Sequence, residues 1–140
     1  LQQADHYCMS LCSDDFNEDG HPDMVIVTKF SDSAIMFLGK GDGTFNWGKY
    51  YGAGDSPVDI IKGDFNEDGH IDVAVANENS GNISILAGNG DGSFMEKTDY
   101  ETRNKEDIPK GIVRFLADVY DETGETVAIA TILTMVAKKK

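Results

Sequence analysis

The stretch Asp15-Phe16-Asn17-Glu18-Asp19-Gly20-His21-Pro22-Asp23 returns 49 residues later, almost letter for letter, as Asp64-Phe65-Asn66-Glu67-Asp68-Gly69-His70-Ile71-Asp72. Each copy reads D-x-N-x-D-G-x-x-D. Side-chain oxygens at the first, third and fifth positions point into one small space when the backbone curls. Glycine at the sixth permits a turn that a Cβ would resist. Such a loop is a cage for a hard cation. The peptide carbonyl of the seventh position and the carboxylate of the ninth would complete an all-oxygen shell of the size calcium prefers, whereas magnesium dehydrates reluctantly and rarely takes it. Two calcium sites are therefore expected, one from Asp15, Asn17, Asp19, His21 and Asp23, the other from Asp64, Asn66, Asp68, His70 and Asp72. An EF-hand needs a glutamate at the twelfth position, where this chain has Ile26 and Val75, and helices on both sides, where it has strand formers.

The same 49-residue offset aligns far more than the loops. Gly39 falls on Gly88, Gly41-Asp42-Gly43 on Gly90-Asp91-Gly92, Phe45 on Phe94 and Tyr51 on Tyr100. Apolar runs precede the loop (Met9 to Cys12; Val58 to Ile61) and follow it (Met24 to Val27; Val73 to Ala76). A third run leads into the Gly-Asp-Gly turn (Ile35 to Leu38; Ile83 to Ala87), and an aromatic-containing run leaves it (Phe45 to Tyr51; Phe94 to Tyr100). These runs are short, rich in Val, Ile, Phe and Tyr, and bounded by Gly, Asn, Asp and Ser, which marks them as strands. Several are apolar at consecutive positions, as in strands buried on both faces. A period near 50 with four strands per unit predicts an all-β chain of β-propeller blades, each a four-stranded antiparallel sheet. The units run over about 5–53, 54–104 and 105–140. The last is degenerate: counted from Asp118, Tyr120 stands where the ligand asparagine belongs, Glu122 at the fifth position, Thr123 at the glycine and Thr126 at the last aspartate. No calcium is expected there.

Composition sets outer limits. The 140 residues fit one ordinary domain, and 40% hydrophobic content supports a core. A net charge of −13 opposes nucleic acid or anionic lipid as a partner, and much of it is concentrated in the two loops. Cys8 and Cys12, four apart on a strand, are separated by roughly 13 Å, too far to pair with each other, and are expected to be buried thiols. The longest apolar stretch, Thr126 to Ala137, is too short to span a bilayer. The chain opens on Leu1 and is expected to be a processed or excised piece. The Gly-Asp-Gly-Thr/Ser-Phe segments lack the Lys-Ser/Thr of a phosphate loop and are expected to be hairpin turns. No Ser-His-Asp, Cys-His or zinc pattern is present, and no catalysis is expected. Trp47, Tyr50 and Tyr51 are expected to pack between blades, with a sugar-stacking platform as the other use of such residues. Asn82-Ile83-Ser84 is a glycosylation sequon.

Pro57-Val58-Asp59-Ile60-Ile61-Lys62-Gly63-Asp64-Phe65-Asn66-Glu67-Asp68-Gly69, followed by Asp72 to Asn77 and by Gly88-Asn89-Gly90-Asp91-Gly92-Ser93-Phe94, resembles the FG-GAP or VCBS repeat from end to end. That repeat is the calcium-binding blade of integrin α-subunit propellers, of propeller lectins and of many secreted proteins. The resemblance covers about residues 5 to 130 and implies that the loop joins the first two strands of each blade, with calcium at one rim. It also implies a seven-bladed parent, of which this chain holds about two and a half to three blades. The expected role is that of a non-enzymatic scaffold, extracellular or at the cell surface, binding a protein or a glycan. Calcium affinity would lie on the order of 10⁻⁵ to 10⁻³ M. A carbohydrate-binding lectin and an accessory part of a secreted polysaccharide-active enzyme are the alternatives. Fewer than three blades cannot close a ring, so self-association through open blade faces is expected as well.

Overall fold

The computed structural model describes residues 7–101; the third sequence unit lies outside the described residues, and with it the degenerate loop. Eight strands follow in order: β1 (Cys8–Asp14), β2 (Asp23–Thr28), β3 (Ser33–Phe37), β4 (Lys49–Gly52), β5 (Pro57–Gly63), β6 (Asp72–Asn77), β7 (Asn82–Leu86) and β8 (Thr98–Glu101). They form two four-stranded antiparallel sheets in the orders β1-β2-β3-β4 and β5-β6-β7-β8. Each is a meander with the form of a propeller blade, and the described residues are all-β.

The 49-residue period survives in the finest detail. Both sheets bulge at the same place in the first strand, between Cys8 and Ser10 and between Pro57 and Asp59. Both close the Gly-Asp-Gly turn with an isolated bridge, Gly39 to Phe45 and Gly88 to Phe94. The fourth strands start later than the aromatic runs suggest, at Lys49 and Thr98. Just before β4, a Cβ on Gly48 would meet Ile35 Cγ2 at 2.6 Å and the Phe37 ring at 2.7 Å, so side chains of β3 lie close over the chain there.

The sheets pack face to face. Val25, Val27, Ala34 and Met36 of the first meet Ile60, Val73, Val75 and Leu86 of the second in one buried cluster that includes Phe16 and Phe94. Strand alternation turns Val73 and Val75 toward the first sheet and Ala74 and Ala76 away from it. Phe94 lies edge-on to two aromatic rings of the first unit, Phe16 at 5.8 Å and Tyr51 at 5.1 Å. Around this apolar centre runs a polar seam. Ser10 Oγ donates to Asp59 Oδ1 at 2.7 Å, Lys62 Nζ donates to the Ser13 carbonyl at 2.5 Å and to Asp14 Oδ2 at 2.7 Å, and Lys29 pairs with Glu78 at 3.1 Å.

Four side chains stand apart from the reading of the sequence. Trp47 is 95% exposed and Tyr50 is exposed, so only Tyr51 of the three aromatics packs between the sheets. Cys8 is exposed rather than buried, while burial pushes the half-buried Cys12 thiol up to about 12. Asn82 is buried at the start of β7 with its side-chain oxygen held by Asn77 and Ser80, so the folded sheet does not present the sequon.

Candidate metal loops

Each nine-residue loop joins the first two strands of its sheet, and curling it needs two residues with positive φ. Gly20 (86°) and Gly69 (90°) supply one at no steric cost, and Glu18 and Glu67, both at 60°, supply the other. The curl brings the loop's own N–H groups onto its acidic side chains. In the first loop Asp15 Oδ1 accepts from Asp19 N at 3.0 Å and Oδ2 from Gly20 N at 2.8 Å. Asn17 Oδ1 accepts from Asp19 N at 3.2 Å, its Nδ2 donates to Asp19 Oδ2 at 2.8 Å, and Asp19 Oδ1 accepts from His21 N at 2.8 Å. Asp64, Asn66, Asp68 and the N–H groups of Gly69 and His70 repeat every one of these bonds. The bond from the histidine N–H holds Asp19 and Asp68 below the usual carboxylate range, so both stay ionised.

The ninth position plays a different part. Asp23 and Asp72 are completely buried. Asp23 Oδ2 accepts from Phe16 N and Asn17 N at 2.9 and 3.2 Å, and Oδ1 accepts from Gly39 N at 2.8 Å. Asp72 makes the matching bonds to Phe65 N and Gly88 N, both at 2.8 Å. Burial raises the Asp72 carboxyl while these N–H groups lower it, and burial wins. Three of about four lone-pair positions on Asp23 are thus occupied. This aspartate ties the loop's entry to the bridge glycine that follows the third strand. Gly39 and Gly88 fit only as glycines, since a Cβ would sit 2.1 Å from the carbonyl oxygen of Pro22 or Ile71.

The curl therefore gathers Asp15, Asn17 and Asp19, and equally Asp64, Asn66 and Asp68, while Asp23 and Asp72 turn inward to the backbone. Among the described residues, no three His, Cys, Asp or Glu side chains form a group that could hold a metal ion as they stand. The donor chemistry suits a hard cation: two carboxylates and an amide oxygen on one turn of chain, with no sulfur or imidazole among them. The loop's own N–H groups take up part of that capacity in this form.

The histidine rings pack in a way the spacing did not indicate. His21 lies against Gly41 and His70 against Gly90, where a Cβ would come within 2.6 Å of either ring. His70 Nδ1 also meets Glu18 Oε1 of the first loop at 2.8 Å, and this contact raises the His70 pKa. Gly92 N donates to the Phe16 carbonyl at 3.1 Å, so the turn of the second unit props the loop of the first. Glu18, the His70 ring and Gly92 are the site-shaping residues that sequence reasoning missed. Their exact recurrence at the 49-residue offset was the available signal for Gly92, and nothing in the spacing paired Glu18 with His70.

No curated protein and no solved structure matches the chain. A model of the FG-GAP-like repeat matches twice, at residues 15–75 and 64–119. The first match takes in both acidic loops, the second opens on the second loop, and together they span more than half of the sequence. Two tandem repeat matches, on two sheets of one topology with the same loop between their first two strands, lead to one conclusion: the chain belongs to the FG-GAP-like repeat family.

Proposed function

We propose that this chain is a calcium-stabilised, non-enzymatic segment of a β-propeller, serving at the cell surface or outside the cell as a rigid scaffold for a protein or glycan partner. The observation that carries the reading is the duplicate loop: two nine-residue turns, 49 residues apart, with the same acidic side chains bound by the same N–H groups. Asp15, Asn17 and Asp19 would hold one ion and Asp64, Asn66 and Asp68 the other, with the carbonyls of His21 and His70 and the remaining lone pair of Asp23 and Asp72 completing each shell. Calcium supplies charge neutralisation there and pins two strands together. Loops of this kind suit the millimolar calcium found outside cells. That is the support for an extracellular address.

A ligand that binds only the folded form stabilises it by about 2.7 kcal/mol at a hundredfold excess over its dissociation constant. Thermal unfolding in millimolar calcium should therefore run several degrees above unfolding in excess chelator. Asp64→Ala should remove about half of that shift, because one of two sites is lost. Superimposable curves for the wild type would defeat the calcium reading.

Glycan binding has one specific observation in its favour. Trp47 is 95% exposed and Tyr50, three residues on, is exposed as well, and exposed aromatic rings are the side chains that stack on sugars. Binding on a glycan array that disappears in Trp47→Ala would support it; array signals unaffected by that change would remove it.

A further inference from the structure

We infer that a cavity in the seam between the two sheets binds a small zwitterion with an apolar side chain, the chemistry of a free amino acid such as phenylalanine or leucine. The inference rests neither on calcium nor on the glycan reading.

The cavity measures about 210 Å³ and is lined by Tyr51 of β4 and by Leu86, Phe94, Met95, Glu96 and Lys97 of the second unit. An apolar cavity of about 150 Å³ accepts a benzene ring, so this one has room for a ring or a branched aliphatic group with a short polar head. Four of the six side chains are apolar or aromatic, and the Tyr51 and Phe94 rings meet edge-on at 5.1 Å. The other two are chain neighbours of opposite charge. A ligand that carries both charges matches such a lining, whereas an anion alone would also face Glu96 and a cation alone would also face Lys97.

The charged side of the cavity belongs to the second unit alone. Across the 49-residue offset Ser84, Glu96, Lys97 and Asp99 stand where the first unit has Ile35, Trp47, Gly48 and Tyr50, whereas Phe94 and Tyr51 match Phe45 and Tyr100 in type. Three of the four changed residues are joined to one another. Lys97 Nζ donates to Asp99 Oδ2, Ser84 Oγ donates to Asp99 Oδ1 at 2.6 Å, and Asn77 Nδ2 donates to Ser84 Oγ at 2.9 Å. Asn77 and Ser84 are completely buried, so this chain of bonds restrains the lysine from within the sheet. Glu96 is exposed and makes no such bond among the described residues. The first unit forms the same four-stranded meander without any of these groups, so the sheet does not need them. A bound carboxylate would meet Lys97, a bound ammonium Glu96, and the apolar side chain would lie against Leu86, Phe94 and Met95. The Tyr51 hydroxyl is buried with no hydrogen-bond partner among the described residues, and a ligand oxygen would supply one.

The test titrates the whole chain with L-phenylalanine, hydrocinnamate and phenethylamine while the methyl resonances of Leu86 and Met95 are followed by NMR. L-phenylalanine should give saturable shifts with a Kd of about 1 mM, the strength expected of so small a ligand. Each singly charged analogue should bind about tenfold more weakly, the worth of one charge-assisted hydrogen bond. Glu96→Gln should bring hydrocinnamate level with L-phenylalanine, and Lys97→Met should do the same for phenethylamine. Tyr51→Phe should weaken L-phenylalanine without lowering Tm, since its hydroxyl has no bond to lose. Methyl resonances of the wild type that none of the three probes moves would overturn the inference, whatever the variants do. So would equal binding of all three, because the cavity would then be an apolar cleft indifferent to charge. Affinity unchanged by Tyr51→Phe would remove the hydroxyl from the site. A calcium shift in Tm that fails while L-phenylalanine still binds would defeat the calcium reading alone.

Discussion

Asp64 and Asp72 stand at the two ends of one loop and carry the same side chain, yet the fold gives them opposite tasks. Asp64 sits half-buried at the surface and gathers the N–H groups of Asp68 and Gly69. Asp72 is sealed under the sheet and holds Phe65 N and Gly88 N. A buried donor left without its acceptor costs about 1–3 kcal/mol. Asp72→Ala should therefore cost at least about 2 kcal/mol even in chelator, where no ion is there to be lost. Asp64→Ala should act mainly on the calcium-dependent part. Urea unfolding of both variants under both conditions separates a structural acid from a ligand. The sequence displayed both aspartates equally. It could not display their division of labour, because the N–H that completes Asp72 belongs to Gly88, 16 residues away, and is delivered only by the closed third strand.

At the scale of elements, repetition made most of the architecture legible. Four runs per unit became four strands per sheet, and the loop fell between the first two, because strand-forming residues, turn residues and period all agreed. The fourth strand was read too long: in both units it begins only four residues after the phenylalanine that opens the aromatic run. The turn before it is held by an acid. Asp42 accepts from the N–H and hydroxyl of Thr44, and Asp91 does the same with Ser93. Those bonds, the hydroxyl one foremost, lower both carboxyls from their ordinary value of 3.8. A folded pKa below the unfolded one contributes stability that is present above the unfolded value and lost as pH falls through the folded one. The double variant Asp42→Asn/Asp91→Asn should accordingly melt below the wild type at neutral pH. The gap should close as pH falls below the ordinary value of 3.8 and through the lowered folded one, which a pH series of melting curves would reveal. A gap that persists in acid would mean that the carboxylate charge is not what holds the turn.

The whole molecule depends on the seam between its two sheets, which is apolar at the centre and ionic at the margin. Lys62 and Asp14 are each more than a third exposed along their side chains or close to it, and such pairs contribute about 0.2–1 kcal/mol. Lys62→Met should cost no more than about 1 kcal/mol in dilute buffer and less in high salt, where screening removes the ion pair. Chemical denaturation at two ionic strengths would measure both. A larger, salt-independent loss would shift the weight to the lysine's bond with the Ser13 carbonyl. No helix among the described residues is long and apolar enough to cross a membrane.

One pair in that seam bears on how such a chain could grow. Ser10 and Asp59 occupy the same place in their respective units and touch each other across the join, where Asp59 is 3% exposed. Tandem repeats lengthen by recombination that copies a unit beside itself. A duplicated second unit would bring the carboxylate of Asp59 against its own twin in a dry place, where like charges repel strongly. A duplicated first unit would set serine against serine and meet no such penalty. Lineages that gained blades from this stretch would have inherited the first unit more readily, or changed the aspartate soon after copying the second.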